Sequence, residues 1–343
     1  GRTVRCALVA IVCDLPGSRK TAGFTAPTHT HFCSICECRN SLKNNEQQYE
    51  GYVDTPFALW ERHSAETCRE AGKEFLAATN DKQRKSVFDR TGIRWSELYR
   101  LPYYDPSCFV VVDAMHNLFL GLTQAHCTTI LGICVREKQT PGSSKIKRKT
   151  AMAIIQWRAE QEEKEPKADH SEDFIGEELA DLRADIAAMI TPSWTSNVPS
   201  NLGDASHGKL KADQWRLLAT MYLPASLIWL WAQTDDNDTD PKSARRRRLL
   251  EVTMSLFSAI SIATGHSTSK SKAQLYLQHY QAYISGVKEL YPDYAFRPNH
   301  HMAFHLAEYL EMYGPIHSWW TFLFERMIGM LQRIPTNNKI CKF

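Results

Sequence analysis

The chain has 343 residues, of which 43% are hydrophobic and 23% charged, and its 41 Lys and Arg against 38 Asp and Glu leave a net charge of +3. That is room for about two domains with an ordinary globular composition, which excludes a disordered chain, a collagen-like repeat and a polyanion. The charges are nevertheless blocked. Residues 160–185 carry eleven acids and three bases, while 145–149 (KIKRK) and 242–248 (KSARRRR) carry nine bases and no acid, so a small total hides one acidic and two basic surfaces. No membrane span is expected. The most apolar segment, LLATMYLPASLIWLWA from Leu217 to Ala232, is 16 residues long and contains Pro224, short of the roughly 20 a helix needs to cross a bilayer. The start imitates a signal peptide, with Arg2 and Arg5 before CALVAIVC, but runs into Asp14 and Pro16 without a small-residue cleavage site. Ten cysteines show no regular framework. Cys6, Cys13, Cys127 and Cys134 sit in apolar surroundings and are expected to be buried free thiols. A first residue that is not Met suggests a piece of a longer protein.

In chain order, residues 3–13 (TVRCALVAIVC) form a β-branched apolar run ended by Asp14-Leu15-Pro16-Gly17, which predicts a buried strand with an acid at its C-terminal edge. Residues 18–56 lack periodicity and predict a loop or a small metal knuckle. Helical spacing returns over 57–79 and 81–89, and IRWSELYRLPYY (93–104) predicts a short helix closed by Pro102. FVVVD (109–113) leads into an apolar run too long for a strand, hence a buried helix. A polar stretch, 136–150, precedes an acidic helical segment near 151–190. Beyond Pro192, Pro199 and Gly203, helices are expected over 209–232, 244–264, 271–290, 300–313 and 317–333.

Few residues stand out chemically. Asp14 ends a strand, where a carboxylate can reach a site, although a turn-former or helix cap needs the same residue type. Glu325 lies among Trp319, Trp320, Phe322, Leu323, Phe324, Met327, Ile328, Met330 and Leu331. A helix apolar on all sides is expected to be buried, and a buried acid needs a partner or a metal; Arg326 or Arg333 would also serve. Asp113 and His116 lie three apart, on one helical face, or as N-cap and core histidine. His29, His31, Cys33, Cys36 and Cys38 crowd five potential zinc ligands into ten residues. One C-x2-C knuckle is half of a zinc site, so the set is expected to be completed by His31 and Cys38 or by His116, His126 or Cys127. His300, His301 and His305 could also form a metal face, but they sit in an otherwise amphipathic helix and read better as core or surface histidines. Lys145, Lys147, Arg148 and Lys149, with Arg245, Arg246, Arg247 and Arg248, could contact DNA phosphates or act as nuclear-import signals, and equally could be a solvated helix start.

Six segments carry a resemblance. CDLPGSRKTAGF, GIRWSELYRLPYYDP, VVVDAMHNLFLGL, LKADQWRLL, RPNHHMAFHLAEYL and GPIHSWWTFLFERMIGMLQRIPTN lie in order between residues 13 and 337. They resemble the transposase of CACTA (En/Spm-type) DNA transposons in the form common in mushroom-forming fungi. The resemblance implies a DDE/D transposase with an RNase-H-like core interrupted by a long helical insertion. It matches Asp14 to the family's second catalytic aspartate, Glu325 to the final glutamate, and Asp113 with His116 to the intervening D-x2-H motif. Asp14 and Glu325 would then hold Mg2+ or Mn2+ for cleavage and strand transfer at transposon ends. The implied partners are double-stranded DNA and further copies of the protein, and the implied compartment is the nucleus.

The expected organisation is α+β and predominantly helical. Residues 1–28 would be a strand part of the catalytic core and 29–56 a Cys/His-rich loop able to take Zn2+. Residues 57–298 would be the helical insertion and 299–343 the C-terminal helices of the core. Leu323 stands where the family typically has Pro. No residue matches the family's first catalytic aspartate, expected upstream, so the chain alone is expected to be inactive. The alternative is a non-catalytic, transposon-derived DNA- or protein-binding remnant.

Overall fold

A computed structural model describes residues 5–43, 46–49, 51, 54–133, 176–193, 195–204, 208–232 and 240–334. Its fold is α+β and mostly helical, with small sheets. The chain divides into two compact units, one formed by 1–122 with 247–343 and the other by 123–246.

The first unit opens with strand β1 (Ile11–Cys13), which pairs in parallel with β4 (Val110–Val112) in the register Ile11↔Val110, Val12↔Val111, Cys13↔Val112. The apolar run from residue 3 predicts a longer strand. Regular pairing stops at three residues because β4 is itself only three residues long, ended by Asp113. Asp14 and Asp113 are therefore the next residues on adjacent parallel strands, which lie about 4.8 Å apart. Both carboxylates stand at the C-terminal edge of the sheet.

Helix α1 (Leu15–Ala22) follows β1 at once because Asp14 caps it, accepting a hydrogen bond from the Gly17 amide at 2.9 Å. A Cβ at residue 17 would lie 2.4 Å from that carboxylate oxygen, so only glycine fits beneath the cap. Strands β2 (Ser41–Lys43) and β3 (Glu46–Gln48) form a small antiparallel ribbon. The expected 57–79 helix begins later: a single 3-10 turn at Phe57–Leu59 precedes α2 (Ala65–Ala77), whose start is set by the cap of Ser64 on the Thr67 amide. Helix α3 (Asp81–Thr91) starts under an Asn80 cap and ends at Gly92, φ 73°, and α4 (Pro106–Phe109) leads into β4. Ala22, Phe24, Cys68, Ile93, Tyr99, Tyr104 and Val110 form a buried cluster under these elements.

After β4 the apolar run predicted as a buried helix is one, wound with wide π-type turns over Met115–Thr123 and His126–Ile130. In the second unit, α5 (Gly176–Ala188) packs on α7 (Leu223–Trp231), which continues α6 (Ala212–Leu217) through a further wide turn. Leu182, Leu202, Leu218, Leu223, Leu227 and Trp231 fill its core. Helix α8 (Pro241–Ala263) returns the chain to the first unit, where α9 (Lys270–Leu290) packs on α11 (Leu306–Tyr313). Helix α10 (Pro298–Phe304) runs into α11 through a tightened turn at His305. The last described helix is α12 (Phe322–Gln332).

Helix α12 overturns one expectation. Its composition predicts burial, yet none of its residues is buried, with Leu323 58%, Met330 55% and Leu331 63% exposed. The apolar periodicity states what the helix can bury. Its first turn packs through Phe322 against the Phe119 and Trp320 rings.

Candidate functional site: a carboxylate cluster and a metal centre

Two clusters in the first unit carry chemistry. The first gathers at the C-terminal edge of the β1–β4 pair. Asp113 is buried and accepts four hydrogen bonds. Oδ1 takes the Thr321 amide at 2.8 Å. Oδ2 takes the Thr321 hydroxyl at 2.7 Å, the His116 amide at 3.0 Å and the His116 ring Nδ1 at 2.6 Å. Burial works against the charged carboxylate, but the His116 and Thr321 donors outweigh it and hold Asp113 below the usual carboxylate range. A nitrogen that close to a carboxylate carries the proton, so Nδ1 of His116 is the protonated position and Nε2 is left to act.

The Asp113 hydrogen bond also raises His116, against the opposing effect of its burial, and the negative charges of Asp14 and Glu325 add to the rise. One imidazole thus feels three carboxylates that come from a strand end, a second strand end and α12. Asp14 is exposed at its helix cap. Glu325 is exposed too, one turn into α12, with its amide bonded to the Thr321 carbonyl at 2.9 Å. The expectation of a buried Glu325 is therefore replaced by an exposed Glu325 on a helix whose preceding residue, Thr321, is bonded to Asp113. Asp113 is different: it is buried and already accepts four hydrogen bonds, and through them it orders His116 and Thr321.

The second cluster is a buried Cys2His2 group, Cys33, Cys36, His301 and His305, whose ligand atoms all lie within 4.8 Å of one another and could hold a metal such as zinc. Tetrahedral zinc with Zn–S of about 2.3 Å and Zn–N of about 2.0 Å implies edges of roughly 3.5 Å between S and N and roughly 3.3 Å between N and N. The structure has Cys33 Sγ to His305 Nε2 at 3.5 Å, Cys36 Sγ to His301 Nε2 at 3.1 Å, and the two Nε2 atoms 3.3 Å apart. The Ile35 and Cys36 amides both point at Cys33 Sγ at 3.3 Å, an arrangement that favours a thiolate. Burial pushes the Cys36 thiol up, so its deprotonated form needs a cation beside it.

The surroundings orient these ligands. His305 Nδ1 lies 2.9 Å from Glu308, which fixes the tautomer that turns Nε2 inward. Glu308 is in turn held by Arg62 at 2.8 Å. Its carboxyl stays below the usual range, the His305 and Arg62 contacts overcoming burial. Trp60 stacks on the His301 ring at 4.9 Å. Gly51 is required here: a Cβ would fall 2.2 Å from Cys38 Sγ and 2.8 Å from His301 Nδ1.

This ligand set corrects the sequence expectation. Cys33 and Cys36 are in it, but His31 and Cys38 are not. His31 is packed beside His29 at 6.0 Å, its carbonyl taken by the buried Arg19. Cys38 sits next to the group with its thiol directed to the Arg39 carbonyl at 3.7 Å. The missing half is His301-x3-His305, two histidines on one helical face that read as core residues in the sequence. Their spacing was the available signal; that they face a knuckle 265 positions away was not.

Between the clusters, Ser34 of the knuckle and Asn117 beside His116 line a cavity of about 20 Å3 together with Cys13, Asp113 and Met302. Its size suits one water, which would satisfy the buried Ser34 Oγ and Asn117 Oδ1.

The basic runs fall differently. Lys145, Lys147, Arg148 and Lys149 lie outside the described residues, as does the acidic stretch up to 175. Of the arginine run on α8, Arg246 pairs with Glu178 at 3.1 Å, and Arg248 with Glu251 at 2.9 Å and Glu289 at 2.6 Å. Arg245 and Arg247 are the other members of the run. No helix among the described residues is long and apolar enough to cross a membrane. No protein-family model matches the chain, and no curated protein matches it.

Proposed function

We propose that this chain carries the carboxylate site of a divalent-metal-dependent phosphoryl transferase acting on double-stranded DNA, of the CACTA transposase type, built on an RNase-H-like core. The observation that carries this reading is geometric: Asp14 and Asp113 follow the paired ends of β1 and β4, and Thr321, whose carbonyl accepts the Glu325 amide, is bonded to Asp113. Asp14 and Glu325, both exposed, are the residues that would hold Mg2+ or Mn2+. Bound there, such ions activate a water or a 3′-hydroxyl and stabilise the leaving oxygen. Asp113 fixes the His116 ring by its Nδ1, and the protonated imidazole is suited to contact a DNA phosphate through Nε2. Cys33, Cys36, His301 and His305 would hold Zn2+. Four protein ligands leave no open coordination position, so that centre is structural rather than catalytic.

The parallel strand pair with an acid at each C-terminal end supports the RNase-H-like reading, and the ordered motif series supports the family. Double-stranded DNA, at transposon ends and at the target, is the proposed partner, in the nucleus, with self-association of the full-length protein. Lys145, Lys147, Arg148, Lys149 and Arg245–Arg248 are the proposed phosphate contacts. The ion pairs of Arg246 and Arg248 reduce what those two offer.

The second reading, a non-catalytic DNA- or protein-binding remnant, draws on the same geometry. With Asp113 buried and engaged by four donors, Asp14 and Glu325 are the exposed carboxylates for the metal pair, and strand transfer by this chain alone is not expected. The test is a Mn2+ titration of the zinc-loaded chain followed by electron paramagnetic resonance. Asp14→Asn keeps the helix cap, because Asn caps as well as Asp, and Glu325→Gln changes an exposed position. Both variants are expected to lose Mn2+ binding. Wild-type binding in both would overturn the catalytic reading and favour the remnant.

A further inference from the structure

Thr321 sits directly before α12 and is 4% exposed, although the helix it opens has no buried residue. A threonine in that place ordinarily turns its hydroxyl onto an amide of its own helix. Here no such cap is made. The hydroxyl turns away and donates to Asp113 Oδ2 at 2.7 Å, while the Thr321 amide donates to Asp113 Oδ1 at 2.8 Å. The same residue's carbonyl accepts the Glu325 amide at 2.9 Å. A local capping rule is given up for a bidentate contact to the end of β4, and such departures concentrate where function sets the geometry.

We infer that Thr321 is a positioning residue of the carboxylate site: its paired hydrogen bonds to Asp113 place the first turn of α12, and with it Glu325, against the β1–β4 edge that carries Asp14. This rests on the reading of Asp14 and Glu325 as metal ligands. Packing does little to fix α12, because Leu323, Phe324, Met327, Ile328, Met330 and Leu331 are about half exposed or more. Gly329 has open space where a side chain would be. The helix is held at its N-terminal end, and Asp113 is the anchor. Oδ2 of that anchor is held by His116 as well, so the imidazole and the Glu325 helix are set by a single buried carboxylate. The Thr321 hydroxyl lies 3.4 Å from His116 Nδ1, completing a closed group of three side chains.

The arrangement separates two roles that the sequence leaves merged. Asp14 and Glu325 present charge to a ligand. Asp113 and Thr321 determine where that charge stands. Loss of the Thr321 hydroxyl leaves Asp113 with its other donors and leaves α12 intact, but removes one of the two bonds that orient it.

The experiment compares Thr321→Val, which keeps shape and amide but loses the hydroxyl, with Thr321→Ser, which keeps the hydroxyl and loses the methyl. Mn2+ affinity of the zinc-loaded chain is read by electron paramagnetic resonance, beside Asp14→Asn and Glu325→Gln. Thr321→Val is expected to weaken Mn2+ binding about tenfold, the usual scale for a group that orients a ligand, and Thr321→Ser to restore it. The visible spectrum of Co2+ at the Cys2His2 centre is expected to be the same in all variants and reports the fold. If Asp14→Asn and Glu325→Gln lose Mn2+ while Thr321→Val binds like the parent, the positioning role is wrong and the metal-ligand reading stands. If Thr321→Ser binds as weakly as Thr321→Val, the methyl group matters and the hydrogen-bond argument fails. If Asp14→Asn and Glu325→Gln both bind normally, the ligand reading falls and this inference with it. Should Thr321→Val not fold, Thr321→Ser decides alone: parental affinity supports the role, and a tenfold loss overturns it.

Discussion

Cys36 and His301, 265 positions apart in the chain, bring Sγ and Nε2 to 3.1 Å of each other. That contact ties the knuckle following the Asp14 helix to the helix preceding Glu325. The Cys2His2 group therefore joins the two parts of the chain that supply the exposed carboxylates.

Removing metal from this group should cost the fold more than one interaction. Structural zinc in small domains contributes on the order of 10 kcal/mol of folding energy, and here two thiols and two imidazoles would otherwise remain buried together. Chelation is expected to lower the unfolding temperature sharply, Cys36→Ser to weaken the thiolate charge-transfer bands of Co2+, and His301→Ala to weaken Co2+ binding. An unfolding temperature indifferent to chelator would remove the metal from the account.

Glu308 should tune the same centre without touching the ion. It orients His305 through Nδ1 and is held by Arg62. Glu308→Gln is expected to weaken metal affinity by about tenfold or somewhat more, measured by competition with a chromophoric chelator. Unchanged affinity would show that His305 is oriented by its packing against Phe57 and Trp60 instead.

The His116–Asp113 pair predicts a pH profile of stability. His116 is raised above its ordinary 6.5 in the folded chain, chiefly by the Asp113 hydrogen bond. Its contribution is thus complete below 6.5 and is lost as pH climbs through the folded value. Asp113 is lowered from 3.8, burial being outweighed by its His116 and Thr321 bonds. Its contribution is present above 3.8 and is lost as pH falls through the folded value. Urea midpoints measured from pH 3 to 9 should show a pair contribution greatest between those limits, and His116→Gln should flatten the decline on the alkaline side. A variant whose profile parallels the parent's would refute the pairing.

Arg19 should matter as a buried tether. It donates to the Thr25 carbonyl at 2.7 Å, the Thr25 hydroxyl at 3.2 Å and the His31 carbonyl at 2.7 Å, and burial pulls its guanidinium down to about 10. Arg19→Met removes the arginine donor from the Thr25 carbonyl and leaves the His31 carbonyl with the Thr25 hydroxyl alone, at about 1–3 kcal/mol for an unsatisfied buried group. Arg94→Met, which removes one part-exposed contact to the Lys20 carbonyl, should cost less than half as much. Urea unfolding of the two variants checks the order.

Much of the local structure is legible in the sequence, because periodicity and capping act over a few residues. The breaks at Asn80 and Gly92, the buried run after Asp113 and the helices over 271–290 and 300–313 follow from residue order alone. So does the position of Asp14 between a β-branched run and Pro16-Gly17. The C-x2-C knuckle is visible as half a metal site.

Tertiary structure decided the rest, because the remaining questions concern what lies opposite. His301 and His305 look like core histidines until the fold places Cys33 and Cys36 across from them. An apolar helix can cover a core only where there is a core to cover, so the exposure of the Glu325 helix is not written in its composition. Asp113 has the same chemistry as Asp14. One is a buried anchor and the other an exposed helix cap, because donors from Thr321 and His116 reach only the first. Residue identity determines which groups can ligate, cap or bury. Distance through the folded chain determines which of them do.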